Sequence, residues 1–290
     1  MVMDLSIVIV SFNTKALTDQ CLASIKTNLA TSKIRYEVIV VDNISTDGTL
    51  EMIAKKYPKT VIIANKENVG FGRANNQGIK KAQGKLVFLL NSDTIVQEHS
   101  IERLYDYASK HPKEFVGPKL FNMDRTPQTS CGPFFSPWIV FVIMFLRGDR
   151  LGVTRWSPNK TIQVDWVSGA AFIAHKSAFM DDLLFDEKIF MYMEEIDLLY
   201  RAQQKGYKTT FYHPSHIIHL GGGSSTNRRK GPVLNIYKGF VYFYTKFYSS
   251  SSLGLLRIML KTKAAGAWVY GLFTGDAELR DIYAEAYRII

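Results

Sequence analysis

Apolar runs and polar turns alternate at short spacing through the first third of the chain. Leu5 to Val10 is a β-branched, nearly unbroken apolar run and predicts a buried strand, with Ser11-Phe12-Asn13 as the turn after it. Leu17, Cys21, Leu22 and Ile25 recur at helical spacing and predict a helix over about 15–28. Tyr36 to Val41 reads as a second strand, ending at Asp42-Asn43. Ser45, Thr46 and Asp47-Gly48 make a turn, from which Thr49 is expected to cap a helix running to about Tyr57. Val61 to Ala64 is a third strand, 70–83 a third helix, and Leu86 to Leu90 a fourth strand. That strand runs into Asn91-Ser92-Asp93, the loop around which the chain is organised.

This alternation is a βαβ series, so it predicts a parallel sheet with right-handed crossovers. Asn13, Asp42 and Asp93 then follow strand ends on one edge of the sheet. In open α/β sheets that edge is where ligands bind. A hard divalent cation joining a carboxylate to a diphosphate suits such a place. Taken alone, Asn-Ser-Asp reads first as a polar turn after a buried strand. A dinucleotide site is set aside: Gly70-Phe71-Gly72-Arg73-Ala74-Asn75 follows the third strand and carries Asn75 where a third glycine belongs.

Beyond the fourth strand the pattern loosens. Phe134 to Leu146 is apolar, broken by Ser136-Pro137 and followed by Arg147-Gly148-Asp149-Arg150. It reads as a buried helix or as a segment close to an acceptor or lipid, and the residues leave both open. The run 164–174 is strand-like, with small residues that permit close backbone approach to a ligand. A helix is expected to start near Glu194, Glu195 and Asp197, which would raise one another's pKa if desolvated. A helix N-terminus favours such acids on its own account. Lys208 to Tyr212 is a strand, and His213, His216 and His219 follow at a spacing of three. Placed before Gly221-Gly222-Gly223-Ser224-Ser225 they suggest a metal or phosphate role, without the Cys pair of a zinc finger.

Past about Thr226 the chain holds ten Lys/Arg against four Asp/Glu. Tyr237, Phe240, Tyr244, Phe247 and Tyr248 recur at helical spacing. Their helix either packs on the main domain or lies on anionic lipid. Ser249 to Ser252 is expected to be a turn. The whole chain, 290 residues and 47% hydrophobic, has ample length for a core, and its net charge of +10 calls for an anionic partner. Nucleic acid is set aside, because the basic excess lies mainly in the tail. Two cysteines make no disulfide framework, so a reducing compartment is the default. No secretory signal is read at the start, and Trp138 to Leu146 is too short to span a bilayer.

Together these residues resemble a family. The stretches are Val10 to Asn13, Val40 to Thr49, Asn68 to Gly78, Asn91-Ser92-Asp93, Trp166 to Gly169, Met193 to Asp197 and His219 to Gly222. In that order they resemble the family 2 glycosyltransferases, and within them the bacterial rhamnosyltransferase-like branch. The resemblance implies a GT-A type α/β fold, a mainly parallel central sheet flanked by helices, with a helical C-terminal extension. It divides the chain into a catalytic domain, 1–225, and a basic aromatic region, 226–290. Within the former, 1–95 would bind the nucleotide and 96–225 the acceptor and metal.

The resemblance also implies roles. A nucleotide-diphospho-sugar donor would meet Ser11, Asn13, Asp42, Asn68, Gly70, Arg73, Asn91 and Ser92. Asp93 and His219 would hold a divalent metal, Mn²⁺ or Mg²⁺. Glu195 would be the general base beside Glu194, with Asp197 the fallback. Trp166 and Gly169 would line the acceptor and sugar pocket. Asn91 stands where the metal motif usually has Asp, and Glu195 where the base is usually Asp. The acceptor would be a cell-surface glycan or lipid-linked sugar, the donor dTDP-L-rhamnose or a UDP-sugar, and the reaction inverting. The expected place is the cytoplasm, peripheral on the inner face of the membrane, with a homodimer left open. Two rivals stand beside it: a catalytically inactive partner subunit, and a nucleotidyltransferase, for which a Gly-rich basic loop after the first strand is lacking.

Overall fold

The computed structural model describes residues 3–221 and 229–290. Its first part is the expected series: β1 (Leu5–Ser11), α1 (Lys15–Asn28), β2 (Tyr36–Asp42), α2 (Thr49–Lys56), β3 (Val61–Ala64), α3 (Phe71–Lys81) and β4 (Leu86–Asn91). β1 pairs in parallel with β2 and β4, and β2 with β3. The register sets Ser11 opposite Asp42 and Val10 opposite Asn91, so three strand ends share one edge.

The second part is β5 (Thr94–Val96), α4 (Ser100–Ser109), β6 (Glu114–Phe121), β7 (Cys131–Gly132), α5 (Pro137–Leu146), β8 (Ile162–Val164), β9 (Trp166–Val167), β10 (Ala171–His175), α6 (Lys176–Met180), α7 (Glu194–Gln204) and β11 (Lys208–His219). The main sheet runs β3-β2-β1-β4-β10-β6-β11-β5, with β8 beside β11. It is parallel through β4 and mixed beyond: β10 lies antiparallel to β4, and β11 runs parallel to β6 but antiparallel to β5. Three helices follow: α8 (Lys230–Phe247), α9 (Ser250–Thr274) and α10 (Ala277–Arg288).

Both faces of the sheet are covered. Leu5, Ile7 and Ile9 enter one apolar cluster with Leu22 and Ile25 of α1. Val8 enters the other, with Ala74 and Ile79 of α3 and residues of α7 and α8. This is the period-two division of a strand with no solvent face. A Cβ on Gly78 of α3 would sit 2.3 Å from Val8 Cγ1, so the missing side chain is what lets α3 lie close on β1.

Several expectations need correction. Gly48, at φ +82°, occupies the cap position of α2 rather than Thr49, and Asp47 accepts the Thr49 N–H at 3.1 Å. The run 164–174 is two strands, β9 and β10, parted by a turn at 168–170. Ser250 to Ser252 are the first turn of α9, capped by Ser249, not a loop. The β11 strand extends to His219, past the expected end at Tyr212. The α8 stripe packs on the domain: Tyr237, Phe240, Phe243 and Tyr244 are buried, and the Tyr244 hydroxyl donates to Phe135 O at 2.8 Å. In α5 the opposite holds, for Val140 and Val142 are buried while Trp138, Phe141 and Phe145 stay exposed. The loop 222–225 and the boundary at 225/226 lie outside the described residues.

Candidate active site

At the nucleotide edge, Asp42 is fully buried, and its Oδ2 accepts the Ser45 N–H at 2.7 Å. Its Oδ1 is buried with no hydrogen-bond partner among the described residues. Such a group is costly unless a ligand answers it. Asn13, at φ +51°, donates its N–H to Ser45 Oγ at 2.8 Å and accepts the Thr46 N–H at 2.8 Å. It therefore ties the β1 and β2 ends together. Ser11 and Ser92 do not face outward as expected. Ser11 Oγ bonds Thr14 and Thr18, and Thr14 bonds Ser92, in a buried hydroxyl cluster that braces the loop from beneath.

The 68–73 loop closes against a distant segment. Asn68 Oδ1 accepts the Gly70 N–H at 3.1 Å, and the Phe71 N–H donates to Phe190 O at 3.0 Å. Gly70 sits at φ +86°, and a Cβ there would approach Phe190 O to 2.7 Å. Both constraints require glycine. Asn43 donates to Gly70 O at 3.3 Å, which joins this loop to the Asp42 turn. Arg73 is half-exposed, 3.6 Å from Glu187.

Asp93 and His219 meet across the sheet. Asp93 Oδ1 lies 3.4 Å from His219 Nε2, and the Leu220 N–H donates to Asp93 O at 2.9 Å. Gln128, which the sequence gave no reason to single out, fixes the ring. Its Nε2 donates to His219 O at 3.2 Å and to Asn122 Oδ1 at 3.0 Å, which turns its Oε1 toward Nδ1 at 2.8 Å. Nδ1 must then carry the proton, and the Nε2 lone pair faces the Asp93 carboxylate. A proton or a cation between the two would turn that contact into an attraction. Asn91 Nδ2 is 3.5 Å from the same nitrogen, and its buried Oδ1 has no partner among the described residues. The Asp93 carboxylate and the His219 imidazole, with the Asn91 amide turned over to present its oxygen, would fit a divalent cation of the Mn²⁺ or Mg²⁺ kind. His213 and His216 do not join this set. His216 packs edge-on against Phe121, and burial lowers its pKa. Among the described residues no cluster of three His, Cys, Asp or Glu could hold a metal, so any cation site here leans on Asn91 or on substrate oxygens.

The acidic helix α7 starts after two left-handed residues, Tyr192 at φ +68° and Met193 at φ +75°. They turn Glu194 inward, where a Cβ on Gly72 would lie 3.8 Å from its own Cβ. Burial, then the Glu195 charge, raises the Glu194 pKa well above the usual range, and its Oε2 has no partner among the described residues. Burial also raises Glu195, against which its own backbone N–H and then the nearby Arg155 cation pull it down. Glu195 Oε1 accepts the Gly169 N–H at 3.4 Å. Arg155 also stands over the Trp166 ring at 5.1 Å and is a second site neighbour that spacing could not reveal. Trp166 itself is buried, its Nε1 donating to Pro133 O at 2.8 Å, so it forms the floor rather than the lining. Asp197 is placed elsewhere. Fully buried, it accepts Arg201 Nε at 2.8 Å and Lys246 Nζ at 2.6 Å on its two oxygens. It holds α7 to α8 and has no free oxygen for a substrate proton.

Asn91 and Glu195 are linked through two residues. The Asn91 N–H donates to Ala170 O at 2.8 Å, and the adjoining Gly169 N–H faces Glu195. A separate groove of about 740 Å³ between α1 and α2 is lined by Asn13, Lys15, Asp47 and Lys55, and includes none of Asp93, His219 or Glu195.

A half-parallel α/β sheet with acidic strand ends on one edge, continued by a mixed half that carries a histidine and the buried Glu194 with its half-buried neighbour Glu195, defines a GT-A type glycosyltransferase. Residues 6–151 match the model of glycosyl transferase family 2, and the chain belongs to that family. It is 28% identical over 245 residues to an N-acetylglucosaminyl-diphospho-decaprenol L-rhamnosyltransferase of Mycobacterium tuberculosis, covering 74% of this chain and 75% of that one. It is 25% identical over 201 residues to rhamnosyltransferase WbbL of Escherichia coli, covering 66% and 75%. Among solved structures, S. aureus TarS superposes with a TM-score of 0.55 at 16% identity, over 89% of this chain and 43% of TarS, a likeness of fold.

Proposed function

We propose that the chain is an inverting glycosyltransferase that moves a sugar from a nucleotide-diphospho-sugar to a hydroxyl of a lipid-linked or cell-surface glycan. One observation carries the reading. The Asn91–Ala170 and Gly169–Glu195 bonds, which tie the Asn91 strand end and the Glu195 carboxylate to two adjoining residues, support it. A donor diphosphate at the first and an acceptor hydroxyl at the second would meet there.

The chemistry follows from the groups present. Asp42, with one unanswered oxygen, accepts a hydrogen bond from the base or ribose of the donor. Asn68, Gly70 and Arg73 close over the nucleotide, and Arg73 offers a cation to phosphate. Asp93, His219 and Asn91 would hold a divalent metal, which when bound stabilises charge on the departing diphosphate. Glu195 takes the proton of the acceptor hydroxyl, its raised pKa making it a stronger base than a solvated glutamate. Its own backbone N–H and then Arg155 work against that rise. The hydroxyl oxygen then forms its bond to the anomeric carbon as the diphosphate bond breaks. A single displacement from the opposite face inverts that carbon.

The donor is dTDP-L-rhamnose and the acceptor a sugar on a polyprenyl diphosphate, on the strength of the two rhamnosyltransferase relatives. The test incubates the protein with dTDP-L-rhamnose or UDP-sugars, a short-chain polyprenyl-diphosphate sugar, and Mn²⁺ or EDTA. Transfer with an inverted anomeric centre, read by NMR and lost in Glu195→Gln, is the expected result. Pyrophosphate release from a nucleoside triphosphate and a sugar phosphate would instead mark a nucleotidyltransferase. Donor binding without hydrolysis or transfer would mark an inactive partner subunit.

A further inference from the structure

The α5 helix is apolar on every side, yet it buries only part of its surface. Ser136 caps it, accepting the Ile139 N–H, and Arg147 at φ +54° ends it. Val140 and Val142 face the domain, while Trp138 is 66% exposed and Leu146 49%. Trp138 stacks on Phe141 with centroids 5.6 Å apart, and Phe141 meets Phe145 at 5.4 Å. The three rings form one ribbon along the outer face. Beyond the helix, Leu151 is 71% exposed and Val153 53%.

Such a face usually marks a contact, and its charge tells which kind. α5 packs against α9. Residues 137–155 and α9 together hold Arg147, Arg150, Arg155, Arg257, Lys261 and Lys263, with Asp149 as their one acidic residue. None of the six cations forms an ion pair among the described residues. α9 exposes Leu255 and Ile258 between Arg257 and its neighbours. A symmetric dimer through this surface would set these cations against their own copies, with almost no carboxylate to offset them. A surface of anionic headgroups over an acyl layer answers both the charge and the rings. No helix among the described residues is long and apolar enough to cross a membrane, so contact of this kind lies along a surface.

We infer that α5 with the adjoining basic segment 147–155 and α9 is the docking surface for an anionic lipid bilayer. The aromatic stripe of α8, which its sequence pattern left open as a lipid contact, is instead spent on the domain core. The docking surface leads to the site: Arg155, at the end of the basic segment, stands over Trp166 beside Glu195. Lipid-borne material would thus reach the base from this side. Lipid binding needs no turnover, so it stands or falls apart from the sugar-transfer reading.

The experiment is co-sedimentation of the full chain with vesicles of phosphatidylcholine alone or mixed with phosphatidylglycerol. Binding to the mixed vesicles, weakened by salt, is expected. The triple variant Trp138→Ser, Phe141→Ser, Phe145→Ser and the double variant Arg147→Glu, Arg150→Glu should each weaken it at least about tenfold. Circular dichroism and melting report whether each variant folds. Quenching of tryptophan fluorescence by brominated lipid gives a second reading that needs only the mild change Trp138→Phe, which should remove much of it. Indifference of the wild type to both vesicle types, undiminished binding in folded variants, or undiminished quenching in Trp138→Phe each overturns the inference. So does a concentration-dependent dimer, seen by sedimentation equilibrium, that the α5 variants dissolve, for the occupant is then a second copy.

Discussion

The Lys246 ammonium donates to Asp197 Oδ1 at 2.6 Å and to Asp186 Oδ2 at 2.8 Å. One cation from α8 thus serves a fully buried carboxylate on the acidic helix and a second on the loop before it. Breaking such a node by removing one partner leaves a buried charge, which costs about 3 kcal/mol. Lys246→Met should lower stability by that order in urea unfolding at neutral pH. The sign of its pH dependence follows from Asp186. Burial pushes that carboxyl up, but Lys246 and the Tyr242 hydroxyl outweigh burial and hold it at about 2. Its contribution, about 2 kcal/mol, is present above pH 3.8 and is lost as pH falls through about 2. The gap between wild type and variant should therefore narrow toward pH 2. A gap that stays constant counts against Asp186 as its source.

Gln128 aims His219 from the other side of the site. Removing an outer partner of a ligating histidine typically costs about 10- to 100-fold in metal affinity or activity. Gln128→Ala should raise the Mn²⁺ concentration for half-maximal transfer about tenfold. At saturating Mn²⁺ the kcat should be nearly restored. A drop in kcat that excess metal does not repair would mean that Gln128 acts on something other than the ring.

Glu194 costs the fold something. Its raised pKa means that the native state holds a proton which the unfolded chain releases above about 4.5. Stability from this group is full below that pH and declines as pH rises toward the native value. Glu194→Gln keeps the shape without the charge. It should match the wild type near pH 4 and exceed it at pH 8, read by thermal melting. Equal melting curves at both pH values would show that Glu194 is solvated in the native protein.

The first half of the chain was legible because its strands are continuous apolar runs and its site residues sit within a turn of their ends. Asp42 and Asp93 could be placed from local pattern alone. What the pattern could not show depends on pairing between distant segments. Gln128 reaches His219 across 91 residues of sequence, and Arg155 reaches Glu195 across 40. Asp197 and Glu195 are two residues apart, yet helix geometry sends one into an ion-pair node and the other to Gly169. The three histidines share a strand, but the register shift between Tyr212 and His216 and the strand's own length leave only His219 at the Asp93 edge. The α5 stretch stayed open between a buried helix and a segment close to an acceptor or lipid because an all-apolar run gives no period by which to tell its covered side from its bare one.

Arg155 offers the sharpest reading of the base. Glu195 is raised by burial and lowered by this cation, so the two effects oppose each other on one carboxyl. Activity that needs the ionised carboxylate rises with pH through its pKa, and the acid limb of kcat/KM should lie above the ordinary glutamate range. Arg155→Gln removes one lowering influence and leaves the backbone N–H of Glu195 in place. The limb should then move to higher pH, with activity on the alkaline plateau reduced less than activity at low pH. Glu195→Gln should abolish the limb and lower kcat by about 100-fold or more while donor binding, measured by calorimetry, persists. Should the limb stay in place in Arg155→Gln, the titrating group would not be Glu195, and Glu194 or a group of the substrate would have to be the base.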